Sequence, residues 1–305
     1  MNKPIYKLND WFKFEISSYT ISDYLSTNPN AIDYLSENQD KINWYSLSIN
    51  RSYKAIELLD KNIEKIDWYY LSSNPSAISI LIKNQDKIHW DELSKNSSAI
   101  DLIKSNINSI NWKYLSKNPS AVELLLDNIE KIDWYYFSKN PSNIAIKYLE
   151  ENPDKIRFNM LNLNPSNEAI KLLRKYPNNI IWEYISSNPS NEAIKLLSEN
   201  YEKINQNQLC HNKNPDAIKL LNFEKIDWNV LSTNPNAINI IKDNYDKIQI
   251  KSYIYKNPSI FVLDYEKMKK RFEDIEEDII RNVLHPRRVI RNIELFGYDV
   301  DEMFD

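Results

Sequence analysis

Few residues of this chain are suited to chemistry. Its 305 residues hold three histidines, His89, His211 and His285, and a single cysteine, Cys210. A Cys–His pair makes a nucleophile when the imidazole can reach the thiol. Cys210 and His211 are sequence neighbours, however, and adjacent side chains on a helix diverge by about 100°. One cysteine excludes an internal disulfide and any zinc site built on two thiolates. One glycine, Gly297, excludes the glycine-rich loops that cradle phosphates in nucleotide-binding folds, since each needs several. Carboxylates are plentiful, but no spacing sets a pair apart for acid–base work. The chain is therefore expected to be no enzyme and to hold neither metal nor cofactor.

Binding chemistry is better represented. Tryptophan after Ile-Asp or Ile-Asn, or after Ile-His at Trp90, recurs at Trp44, Trp68, Trp90, Trp112 and Trp134, with Trp182 and Trp228 in the same slot and Phe158 replacing it once. A stacking surface is one reading of these indoles. Their strict phase with Leu and Ile favours core packing instead. The positions that follow them vary, with tyrosine at Tyr70, Tyr114, Tyr136 and Tyr184. Tyrosine is enriched at binding hot spots, so these four are the candidate partner-binding residues; the alternative is that they fill grooves between repeats. Lys65, Lys87, Lys131 and their equivalents recur once per unit, each directly after an acid, which reads as a solvated, locally neutral loop face. Arg281, Arg287, Arg288 and Arg291 form the one concentrated basic patch. It suits an anion or an acidic partner segment, or pairing with Glu276, Glu277 and Asp278. With 39 basic and 43 acidic residues, net charge −4, nucleic acid is not expected on the repeats and has a place only at that tail.

The elements behind these residues follow from the repeat. Spacings of 22 or 24 residues give about eleven units of the pattern Ile-Asp-Trp-x-x-Leu-Ser-x-Asn-Pro-Ser-Ala-Ile-x-Leu-Leu, with Ser22, Gln206 and Ile250 in the weaker tryptophan slots. Each unit reads as two short helices. Asp67 caps the first, and Ile66 with Leu71 forms its hydrophobic staple. Asn74-Pro75 ends that helix and starts the next. Ala77, Ile78, Ile80 and Leu81 supply an apolar face, and Asn84 is expected to end the second helix in the left-handed conformation. No strand is expected. Such short helices need stacked neighbours for stability. The expected architecture is an all-α solenoid, a superhelix of about eleven two-helix repeats, drawn out as an open curved rod. Residues 1–20 form an N-terminal cap in which Trp11, Phe12 and Phe14 cover an open apolar face; 21–260 form the solenoid. Residues 261–305 form a helical C-terminal cap, with a helix over Asp264–Leu284 and another ending at Gly297, and an acidic tail.

The tandem units, followed by Leu284-His285-Pro286-Arg287-Arg288 and Phe296-Gly297-Tyr298-Asp299, resemble a multicopy repeat-protein family of giant DNA viruses of the mimivirus-like and chlorovirus-like lineages. The resemblance implies a viral product made in host cytoplasm and carries no activity to any position. The start of the chain shows no apolar signal core, and no apolar run is long enough to span a membrane. The 41 asparagines fit an AT-rich genome. Together these readings point to a non-catalytic scaffold or adaptor for a host or viral protein. A minor virion component and an RNA- or translation-associated scaffold are the alternatives.

Overall fold

The computed structural model describes residues 4–12 and 19–271, together with 273, 287, 290 and 291. It divides into two compact units, Leu8–Phe261 and Met1–Lys7 with Val262–Asp305. The larger unit holds eleven helical repeats, as the sequence pattern predicts. In the third, the A-helix runs Trp68–Ser72, a 3₁₀ turn spans Pro75–Ala77, the B-helix runs Ile78–Lys83, and a second 3₁₀ turn spans Gln85–Lys87. Asp67 caps the A-helix by accepting from the Tyr70 amide at 3.2 Å. Leu71, Ala77, Ile80 and Leu81 are buried with Ile66, so the apolar face is the one the spacing gives.

The two repeat lengths have a structural basis. Shorter units enter the B-helix through a 3₁₀ turn at Asn-Pro, as at Pro119–Ala121 and Pro235–Ala237. Longer units replace that turn with a full α-turn behind a serine cap. Ser52, Ser166 and Ser190 accept from the amides of Ala55, Ala169 and Ala193, and the B-helices become Tyr53–Asp60, Asn167–Arg174 and Asn191–Ser198.

Two ladders of buried polar side chains hold the repeats together. In the first, the serine after the A-helix leucine donates back to the tryptophan carbonyl and accepts an amide from the next repeat. Ser72 Oγ lies 2.7 Å from Trp68 O and 3.0 Å from the His89 amide. Ser94 and Ser116 repeat the arrangement. In the second, the asparagine between the helices donates through Nδ2 to two carbonyls of the preceding repeat and accepts through Oδ1 from its own B-segment. Asn118 Nδ2 lies 3.1 Å from Ser94 O and 3.0 Å from Asn96 O, and its Oδ1 takes the Ser120 amide at 3.0 Å. Helix ends leave carbonyls and amides without internal partners. These ladders satisfy them across the repeat boundary, so Leu-Ser-x-Asn is a joint as well as a core motif.

The ladder has no free end. Asn28 in the first repeat donates to Tyr255 O and Asn257 O in the eleventh, both at 3.1 Å, and is 1% exposed. Asn30 Nδ2 donates to Pro258 O at 3.0 Å, as Asn236 Nδ2 does to Lys213 O one repeat apart elsewhere. Tyr24 meets Tyr253 edge-on at 6.2 Å. The repeats of the larger unit therefore close on themselves, and the open rod is corrected to a ring. Eleven units share a full turn, roughly 33° each, a curvature that repeat arrays reach through small per-repeat rotations. Among the described residues, the end of the first repeat is taken by the eleventh. Trp11 and Phe12 instead pack against Tyr245 and Tyr255 of the last repeats, at 6.0 and 5.5 Å; Phe14 lies outside the described residues.

Two local expectations also change. Asn84 has φ −131°, not a left-handed value; its Nδ2 ends the helix by donating to Ile80 O at 2.8 Å. Asn62, Asn106, Asn128 and Asn244 do the same. A side chain thus takes the work usually left to glycine, and the asparagine content has a folding role beyond codon usage. Strands also exist: β1 (Tyr6–Leu8) pairs with β2 (Phe261–Leu263). The bonds Asn9 N to Ile260 O and Asp264 N to Ile5 O, both 2.8 Å, make the register antiparallel. In the smaller unit, Asp264 caps a helical segment that begins at Tyr265, accepting the Lys267 amide at 3.0 Å. Of the helix expected to end at Gly297, Arg287, Ile290 and Arg291 are helical, and the rest lies outside the described residues.

Candidate functional site

The A-helices present to solvent the positions that the core does not use. The first residue after tryptophan is the most accessible: Tyr45, Tyr69 and Tyr135 are 45–46% exposed. The second is half-buried at Tyr70, Tyr114, Tyr136 and Tyr184. The rings form contiguous clusters. Tyr70 lies 4.3 Å from Tyr45 and 5.1 Å from Tyr69, and the Tyr45 hydroxyl bonded to Tyr70 pushes the latter's pKa up to about 12. Tyr114 and Tyr136 meet at 6.0 Å, with Tyr135 beside Tyr136. Three of the four predicted tyrosines therefore belong to clusters, whereas Tyr184 stands beyond a repeat that carries Met160 in that slot. Sequence reasoning read both positions after tryptophan as one edge but chose the second as the binding position, whereas the more exposed rings are at the first, Tyr45, Tyr69 and Tyr135. Their signal was present, since they alternate with the half-buried set at one-residue spacing on a helix anchored by tryptophan.

Between the two clusters lies a charge network. Glu92, 6% exposed, takes the second position of the fourth repeat and forms an ion pair with Lys95. It also accepts from Tyr69, which raises that phenol's pKa. Lys95 Nζ sits 4.2 Å from the centroid of the Tyr114 ring and Lys117 Nζ 6.0 Å from it. Lys113 approaches Tyr136 at 5.4 Å. Lys95, Lys117 and Lys139 each directly precede a ladder asparagine, Asn96, Asn118 and Asn140, so they occur in register on three consecutive repeats. Burial and the neighbouring charges of Lys95 and Lys139 lower the Lys117 pKa.

The lysine repeat is the exposed loop face expected, and it also meets the tryptophans. Lys65, Lys87, Lys131, Lys203 and Lys247 lie over the indoles of Trp44, Trp68, Trp112, Trp182 and Trp228 at 4.5–5.0 Å. The tryptophans themselves are half-buried, not core-enclosed. Each lies under the ammonium of its own repeat, a cation–π contact. The fourth repeat has Ser109 at the lysine position beside Trp90.

Cys210 occupies the serine slot of the first ladder, fully buried, with Sγ donating to Gln206 O at 3.3 Å. Burial pushes its pKa up to about 11, the reverse of an activated thiol. His211 and His89 are exposed positions at a helix end and a helix start. Among the described residues no group of three or more His, Cys, Asp or Glu is placed to hold a metal ion, and no helix is long and apolar enough to cross a membrane. Arg287 and Arg291 are exposed; Arg281 and Arg288 lie outside the described residues. A groove of about 620 Å³ runs beside Tyr45, lined by Asp23, Asp40, Asn43 and Trp44. Compared with known proteins, the chain matches no family model, no curated sequence and no solved structure.

Proposed function

We propose that this protein is a non-catalytic scaffold of a giant-virus repeat family that binds a host or viral protein in host cytoplasm, through the A-helix face of repeats two to six. The observation that carries the reading is the pair of tyrosine clusters, Tyr45–Tyr69–Tyr70 and Tyr114–Tyr135–Tyr136, set on rigid helices with the outer rings nearly half exposed. Tyrosine gives large contact area at low entropy cost and keeps a polar tip for hydrogen bonding. Helices joined by buried ladders hold these rings in place before a partner arrives, which lowers the ordering cost of association. The test compares partners captured from infected-cell lysate, after nuclease treatment, by the wild-type chain and by a Tyr69→Ser/Tyr135→Ser double variant. A protein captured by the first and lost by the second, at equal melting temperature, supports the reading. Capture that is unchanged in the variant refutes this surface. Recovery of capsid proteins alone makes the protein architectural, and loss of all partners with nuclease makes it an RNA-associated scaffold.

A further inference from the structure

The row of three lysines is not explained by folding or by the tyrosine surface. Half-buried ammonium groups are costly unless paired. Of the three, only Lys95 has an ion-pair partner, Glu92, among the described residues. Lys117 and Lys139 make none there. The single ring of Tyr114 holds Lys95 and Lys117 at 4.2 and 6.0 Å from its centroid, which bounds their separation at about 10 Å. Register along the asparagine ladder brings Lys139 next to Lys117 on the following repeat. Three ammonium groups and one carboxylate leave two positive charges beside the Tyr114 ring, on a chain that is negative overall.

From this geometry we infer that Lys95, Lys117 and Lys139, walled by Tyr114, form a binding site for a phosphate group. The charge balance selects the ligand class. A phosphate monoester carries about −1.5 to −2 near neutral pH and offers three acceptor oxygens, so it neutralises the site, whereas one carboxylate leaves it charged. The spread of the lysines over two repeat boundaries suits a ligand that bridges them, since ammonium groups act as separate point charges and not as a fork. Burial first, and then the charges of Lys95 and Lys139, lower the Lys117 pKa, so an anion bound beside these lysines would raise it. The site does not depend on a protein partner. The phosphate can belong to a small molecule or to a phosphorylated side chain, and the test separates these sources.

The experiment is calorimetric titration of the full chain at fixed ionic strength. The probes are sodium pyrophosphate and a short peptide bearing one phosphoserine, compared with the same peptide bearing glutamate there. Saturable one-to-one binding of either phosphate probe is the expected result; pyrophosphate alone points to a small molecule, and the phosphopeptide to a modified protein. Lys117→Met and Lys139→Met should each weaken binding roughly tenfold, the scale of one lost charge-assisted bond. Lys147→Met, which removes an exposed B-helix lysine, should not. Phosphopeptide affinity should rise between pH 5 and 7 as the second phosphate proton leaves, near pH 6. Should a Lys→Met variant fail to fold, the unaltered chain still gives a readout: NMR of the lysine Cε–Hε groups should show the Lys117 pKa rising on saturation with pyrophosphate. The inference is overturned by no saturable binding of either probe, by equal binding of the glutamate peptide, or by an equal loss in Lys147→Met.

Discussion

Replacing Asn28 with alanine separates a closed ring from an open array. In mid-array, Asn118→Ala leaves Ser94 O without this donor and the Ser120 amide without its acceptor, around a side chain that is 0% exposed, while Asn96 O keeps the Ala99 amide. Each buried group left unpaired costs about 1–3 kcal/mol. Some relaxation and water entry bring the expected total to about 3–5 kcal/mol, a large part of the 5–15 kcal/mol typical of a domain. Asn28 makes the same three bonds, to Tyr255 O, Asn257 O and the Asn30 amide. In a ring, Asn28→Ala must therefore cost as much as Asn118→Ala. In an open array, Asn28 would be the first rung with nothing before it, and its loss would remove only a turn bond worth about 1 kcal/mol. Urea denaturation of the two variants beside wild type measures the difference directly, provided their m-values agree. An Asn28→Ala cost near 1 kcal/mol beside an Asn118→Ala cost of several would refute closure.

Other expectations follow from the same contacts. Asn118→Asp keeps the Oδ1 acceptor but turns the two-carbonyl contact repulsive when ionised; burial raises such a carboxyl pKa above its unfolded value. The variant should then gain stability as pH falls and lose it as pH rises through the raised pKa, a trend that thermal melts from pH 4 to 8 would show or exclude. Trp134→Ala should cost about 2–3 kcal/mol, below the 3–5 kcal/mol of a fully enclosed ring, because Trp134 is half-buried. In a Trp112/Lys131 double-mutant cycle, the 4.5 Å contact should yield a coupling of about 0.5–1 kcal/mol; a zero coupling would make the lysine incidental. Cys210 should resist thiol reagents at pH 8 until the protein unfolds, since burial keeps it protonated to about pH 11. With the folded pKa raised, its contribution to stability is complete below the unfolded thiol range and is lost as pH climbs through 11. Cys210→Ser should be nearly neutral, because serine fills this slot in neighbouring repeats such as Ser186 and Ser232.

The local architecture was legible because each of its causes lies within a few residues. Asp67 before Trp68 caps a helix wherever the chain goes afterwards, and Asn74-Pro75 breaks one helix and starts the next. Copied along the array, that logic specifies the two-element units, although the eleventh runs from two 3₁₀ segments into β2. What could not be seen were the properties that depend on summing the copies. The sequence of one repeat sets its rotation against the next only through packing at the boundary, and whether eleven rotations close or overshoot depends on small differences accumulated around the array. The asparagines had the clue but not its sense, since a residue with a donor and an acceptor suits a surface turn as well as a buried ladder; only the 0–4% exposure of Asn28, Asn74, Asn118 and their equivalents distinguishes the two. The lysine row was hidden for a related reason. Lys95, Lys117 and Lys139 fall 22 residues apart, amid more regular lysines that stand over tryptophans. Nothing in the linear pattern separates a lysine that covers an indole from one that gathers charge with its neighbours. Closure and charge convergence are both properties of register between repeats. A ring whose joints are buried hydrogen bonds holds that register rigidly, so the three ammonium groups stay close although folding gains nothing from their proximity.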